Sequence, residues 1–115
     1  MALTKAQIRD RAAEMLGYNP IRQPLESNIA TRIEQAYDEV YAMLKNEGVA
    51  IWASTASVPN EIVPYMIVLV ANGSLSLGVS AERYQLIKGE LPNALPMIRK
   101  YTAPHYASQE DAKDY

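Results

Sequence analysis

Residues 62–71 read IVPYMIVLVA, a nearly unbroken apolar run in a chain of 115 residues. β-Branched residues are common in it, so a buried strand is the rival reading. The run is long for one strand, and residues 71–76 continue as plausible helix, so a helix is expected. A helix that is apolar all round must be covered all round. A chain this short leaves little material for that cover. Part of the segment's surface is therefore expected to meet another copy of the chain or a partner, at Tyr65, Met66 and Leu69, with Tyr41 beside them.

The neighbouring sequence frames this run with helical signals. Pro59 favours a first helical turn, Glu61 complements the helix dipole there, and Pro64 still falls early enough to be tolerated. The helix is expected to reach about Leu77, with Gly78 as its stop. Upstream, Thr4 and Gln7 have capping-box spacing. Ile8, Ala12, Met15 and Leu16 then fall on one side of a first helix, which Gly17 ends in a left-handed cap. Residues 18–26, YNPIRQPLE, form a connector that Pro20 and Pro24 hold extended, with Ile21 and Leu25 placed to pin it to a core.

Ser27 is the expected cap of the second helix. Its stripe comprises Ile29, Ile33, Ala36, Tyr37, Val40, Met43 and Leu44, and Gly48 is its C-terminal glycine. Residues 49–58, VAIWASTASV, read as a short strand or extended loop. Trp52, the only tryptophan, is expected to plug one end of the core. Ser80 caps a fourth helix on which Tyr84, Ile87, Leu91, Ala94 or Leu95, and Ile98 keep one phase. Gly89, Pro92 and Pro96 are expected to bend or split it.

The reading is an all-α fold: a small four-helix bundle over residues 1–102 with a long connecting loop after helix 1. Residues 103–115, APHYASQEDAKDY, show no apolar period and read as a flexible, extended C-terminal tail. The expected core is Ile8, Met15, Ile33, Tyr37, Val40, Leu44, Trp52, Ile67, Ile87, Leu91, Leu95 and Ile98.

Composition narrows the function. The formal net charge is −2 and neither half is strongly basic, unlike most dedicated nucleic-acid binders. With no cysteine, disulfides and thiolate metal sites are ruled out. The N-terminus lacks the apolar core of a signal peptide. The apolar run is far shorter than the ~20 residues of a membrane span, so a soluble intracellular protein is expected, with no membrane partner. The one histidine, His105, lies in the presumed tail and is a poor catalytic base. Glu34 and Asp38 lie one helical turn apart, but a solvated polar face explains them. No phosphate loop is present. No catalytic residue, metal site or cofactor is expected, and the chain does not read as an enzyme.

AAEMLG, residues 12–17, faintly resembles the start of a helix-turn-helix. The next helix would have to offer basic and amide side chains to the major groove. It carries Arg32 and Gln35 but also Glu34, Asp38 and Glu39, and the proline-rich connector is too long for the usual turn. A small helical DNA-binding or regulatory module is therefore the alternative.

The order of features resembles the head-to-tail adaptors of tailed bacteriophages (head-completion, connector or tail-accessory proteins). The residues that carry the likeness begin with AAEMLG and the proline-containing loop. Tyr37, Asp38, Val40, Leu44, Gly48 and Trp52 follow in the spacing YDxVxxxLxxxGxxxW, preceded by Ala36 or Ala30. VPNEIVPYMIVLVA and a small-residue segment ending at Gly78 come next, and ALPMIRKY, residues 94–101, closes the match. The likeness covers most of residues 4–101. The glycine and prolines of the last helix depart from it.

This resemblance implies a homo-oligomeric ring, commonly of twelve copies and monomeric when free. Such a ring docks on the portal protein in the virion neck after assembly in the host cytoplasm. It extends the channel for double-stranded DNA without sequence-specific binding, and offers a surface to the next tail or nozzle component. The C-terminal segment, with Tyr101, His105, Tyr106 and Tyr115, would reach the portal. Two readings of the residues agree with this: the apolar helix wants a neighbour's cover, and mild acidity suits a conduit to which DNA should not adhere.

Overall fold

The computed structural model describes residues 3–20, 22–48 and 58–114, with side chains as far as Lys100. It is all-α: α1 (Lys5–Leu16), α2 (Ser27–Asn46), α3 (Val63–Gly73) and α4 (Ala81–Asp114). Single 3-10 turns, Asn60–Ile62 and Leu75–Leu77, flank α3.

The local signals explain most boundaries. The Thr4 hydroxyl accepts from the Gln7 backbone N–H, and the Gln7 side chain accepts from that of Thr4, closing the capping box. Gly17 ends α1 at φ 108°, its N–H donating to the carbonyls of Ala13 and Glu14. That left-handed geometry is cheap only for glycine. Ser27 is not a cap: it is the first helical residue of α2, preceded by Glu26, which makes no side-chain cap. The third helix is also shorter than expected. The buried Ser74 hydroxyl donates to the Val70 carbonyl at 2.9 Å, satisfying one of the carbonyls left open at a helix end. The chain then tightens into the 3-10 turn before Gly78. The Arg83 N–H donates to Ser80 Oγ at 3.2 Å, the expected cap of α4.

Packing settles the question posed by the apolar run. Helix α3 packs against α4, α1 and α2. Val63, Met66, Val68, Leu69, Val70 and Ala71 are buried by these three helices. Burying a side chain such as Met66 or Leu69 contributes ~1.5–3 kcal/mol, and here the contribution arises within one chain. The expectation that Met66 and Leu69 need outside cover is thus overturned. Only Pro64 stays exposed, with Tyr65 and Ile67 half-buried. The arithmetic of cover failed because α3 is short: its 11 residues span ~16 Å, and three longer helices enclose that length.

Six expected core residues, Ile8, Ile33, Tyr37, Leu44, Ile87 and Ile98, are fully enclosed. Met15, Val40, Ile67, Leu91 and Leu95 pack against the core from half-buried positions. Trp52 and Ile21 lie outside the described residues. Met43 and Tyr84, both placed on apolar stripes by periodicity, are instead 38 % and 45 % exposed. Ala36 meets the α3 terminus so closely that a Cβ on Gly73 would lie 3.2 Å from the Ala36 Cβ. An antiparallel bridge, Leu3 to Val58, ties the start of the chain to the approach to α3.

Helix α4 runs without interruption through Gly89, Pro92, Pro96 and Pro104 as far as Asp114. Backbone helix therefore continues where an extended tail was expected. Pro92 and Pro96 are exposed, so the carbonyls four residues before them, which lose their helical donors, can turn to water. At 34 residues, α4 is ~51 Å long, close to the 54 Å long dimension of the molecule. The next longest helix, α2, reaches only ~30 Å.

Candidate interaction surface

Charge lies mainly between helices. Lys5 Nζ pairs with Asp38 Oδ1 at 2.7 Å, and Arg9 Nη1 with Glu34 Oε2 at 2.7 Å. Both pairs run from α1 to α2, so the Glu34 and Asp38 carboxylates have structural partners. The hydrogen bond to Glu34 chiefly holds the Arg9 guanidinium above its ordinary pKa, and Asp10 adds to this against the opposing effect of burial. Arg99 pairs with Glu47, joining α4 to the end of α2. Lys88 donates to Asn72 Oδ1 at 2.9 Å and lies over the Tyr84 ring.

Arg32, the cation that a DNA-reading second helix would need, is committed elsewhere. Its Nη2 donates to the Gly73 carbonyl at 2.8 Å, its Nε to Ser76 Oγ at 3.3 Å, and its Nη1 meets Glu39 at 3.4 Å. It closes the C-terminus of α3 as a cation at the negative end of a helix dipole.

The residues assigned to a subunit interface do not form one surface. Met66 is fully enclosed in the chain's own core, contrary to expectation, because α3 is surrounded. Leu69 and Tyr41 are each 8 % exposed. Tyr41 stacks on Tyr37 with ring centroids 6.5 Å apart and planes 6° from parallel. Tyr65 is half-buried. Tyr101, His105 and Tyr106 lie on the helical backbone of α4, but their side chains, and the whole of Tyr115, are outside the described structure.

The exposed apolar side chains are different ones. Leu86 is 48 % exposed on α4, followed by Tyr84 and Met43. The signal for Leu86 was present in the sequence: it sits ~100° off the stripe through Ile87, Leu91 and Ile98, on an otherwise polar face. A separate shallow groove lies between α1 and the start of α3, lined by Leu3, Gln7, Arg11, Val63, Pro64 and Ile67. Its lining joins four apolar residues to one cation and one amide.

Among the described residues no group of three or more His, Cys, Asp or Glu could hold a metal ion. No described helix is long and apolar enough to cross a membrane. Comparison with protein-family models, curated proteins and solved structures finds nothing that matches this chain.

Proposed function

We propose that this chain is a structural connector of tailed bacteriophages, an adaptor whose copies form a ring on the portal vertex. The ring would extend the DNA channel and present a surface to the next tail component. The observation that carries this reading is the mismatch between α4 and the rest of the bundle. A helix of ~51 Å on a bundle whose other helices reach at most ~30 Å supplies an arm of ~20 Å. An arm of that length can bridge to a second protein while the bundle packs beside its neighbours. The tyrosines at positions 101 and 106 lie on that arm, and tyrosine is enriched at protein interfaces. The commitment of Arg32 to α3 weighs against the DNA-binding alternative, since it removes the most central cation of α2 from any groove-facing role.

The test uses the portal protein encoded in the same genome. The full chain is expected to co-elute with portal rings, and a chain ending at Tyr101 to keep its helical circular dichroism but lose that binding. Absence of a portal gene, or failure of the full chain to bind portal, overturns the reading. Full binding by the shortened chain overturns the role given to the arm.

A further inference from the structure

We infer that two copies of this chain dock head to tail, with Leu86 of one copy seated in the α1–α3 groove of the next. The inference deepens the ring reading but does not depend on the portal.

The first observation is the setting of Leu86. It is the most exposed large apolar side chain described. Glu82 and Glu90 lie four residues to either side, on the same helical stripe. Both are exposed, and neither forms an ion pair or side-chain hydrogen bond among the described residues. The stripe is thus an apolar knob between two unpaired carboxylates, with Arg83 beside it engaged at the Glu14 carbonyl, 3.4 Å away.

The second observation is the groove. Val63, Pro64, Ile67 and Leu3 give it an apolar lining, and Arg11 lines it with them. Arg11 is exposed and has no ion-pair partner among the described residues, whereas Arg9 and Lys5 on the same helix are paired. Asp10 is already held by Arg9 at 3.0 Å. Glu14, one turn further along α1, lines an adjoining hollow with Arg11 and Asp10 but forms no ion pair with Arg11. An apolar trough beside a free cation complements a leucine between two unpaired carboxylates. Opposite charges at a contact rim favour the correct partner and register.

The third observation is placement. Helices α3 and α4 run antiparallel. Lys88 meets Asn72 at the end of α3, whereas the Asn60–Ile62 turn before α3 also packs against α4. Leu86 therefore lies at the end of the bundle that holds Gly78 and the C-terminus of α1, where Arg83 donates to the Glu14 carbonyl. The groove lies at the opposite end, beside the Leu3–Val58 bridge. A knob and a socket at opposite ends make a heterologous contact, which propagates from copy to copy and closes into a ring when the rotation permits.

The absence of cysteine makes a direct test simple. Leu86→Cys and Pro64→Cys each place one thiol at an exposed position of the knob and the socket. Mixed, oxidised with copper phenanthroline over a concentration series and run on a non-reducing gel, they are expected to give a disulfide-linked pair. Either variant alone is expected to give at least tenfold less. Adding Arg11→Glu to the Pro64→Cys chain should suppress the pair at least tenfold, and Glu82→Arg with Glu90→Arg on the Leu86→Cys chain should restore it. The inference is overturned if no mixed pair forms, if Leu86→Cys links equally to itself, or if the charge reversal fails to rescue. No portal protein is present, so this outcome is independent of the adaptor assignment.

Discussion

Replacing Arg32 by alanine is the most informative single perturbation, because it separates a structural cation from a DNA-reading one. The guanidinium makes three contacts. The bond to the Gly73 carbonyl is short, at 2.8 Å, and partly buried. It relieves a helix-end acceptor, and a hydrogen bond to a charged group in such a place contributes ~1.5 kcal/mol. The bond to Ser76 Oγ, at 3.3 Å and exposed, adds ~0.5 kcal/mol. The pairing with Glu39 joins a carboxylate that is 69 % exposed, where water and salt reduce the gain to about zero. Arg32→Ala should therefore lower the unfolding free energy by ~2 kcal/mol, a large part of the ~5–15 kcal/mol usual for a domain. Urea denaturation followed by circular dichroism should show an earlier midpoint at unchanged slope, and Tm should fall by ~8 °C. Arg32→Lys should recover less than half, because one ammonium cannot reach the carbonyl and the hydroxyl as a fork does. Stability within ~0.3 kcal/mol of the parent, together with a steep loss of affinity for duplex DNA across a salt series, would refute the structural role and revive the regulator reading.

Other substitutions test the packing. Met66→Ala should cost ~2–5 kcal/mol, the range for a methionine truncated in a core; a change below ~1 kcal/mol in the same urea titration would mean that the side chain is not enclosed as described. Gly73→Ala should destabilise by about 1 kcal/mol, since crowding against Ala36 at 3.2 Å outweighs the gain in helix propensity. Combining it with Ala36→Gly should reveal coupling above ~0.5 kcal/mol, and strict additivity would show that the two helices do not touch there.

The parts of the fold that were legible in the sequence are those decided within a few residues. The Thr4–Gln7 box, the stop at Gly17, the positive-φ Gly48 and the Ser80 cap each follow from local backbone needs. Their causes and effects lie within one turn. Periodicity also gave the buried faces of α1, α2 and α4 at Ile8, Ile33 and Ile87. It could not orient α3, because a helix apolar on every side carries no phase; Met66 was therefore assigned to an interface and proved to be core. Nor could it find Arg32, whose partner lies 41 residues further on, or tell that Tyr84 and Met43 would sit at the edges of their stripes. Continuity of α4 was illegible for another reason. Proline is read as a breaker, but Pro92 and Pro96 sit on the exposed side, where solvent can replace the missing donors.

The candidate surface divides in the same way. The four residues that the sequence pointed to on the apolar run and its neighbour, Tyr41, Tyr65, Met66 and Leu69, are buried or half-buried. Sequence reasoning missed the Leu86 stripe because the two acids around it resemble an ordinary solvated face. That neither acid pairs with a cation among the described residues is a property of three-dimensional placement alone.

The great length of α4 has a mechanical consequence. Its buried side chains Ile87, Ala94 and Ile98 fix ~16 Å of the rod against the body, and ~24 Å follows from Ile98 to Asp114. The helix runs on past its last described buried residue by a length about half again that of the buried stretch. A sideways load at the far end reaches the buried stretch amplified, pressing hardest at Ile98 and prying at Ile87. Those two isoleucines are the bearings on which any tug on the rod would be felt by the rest of the molecule.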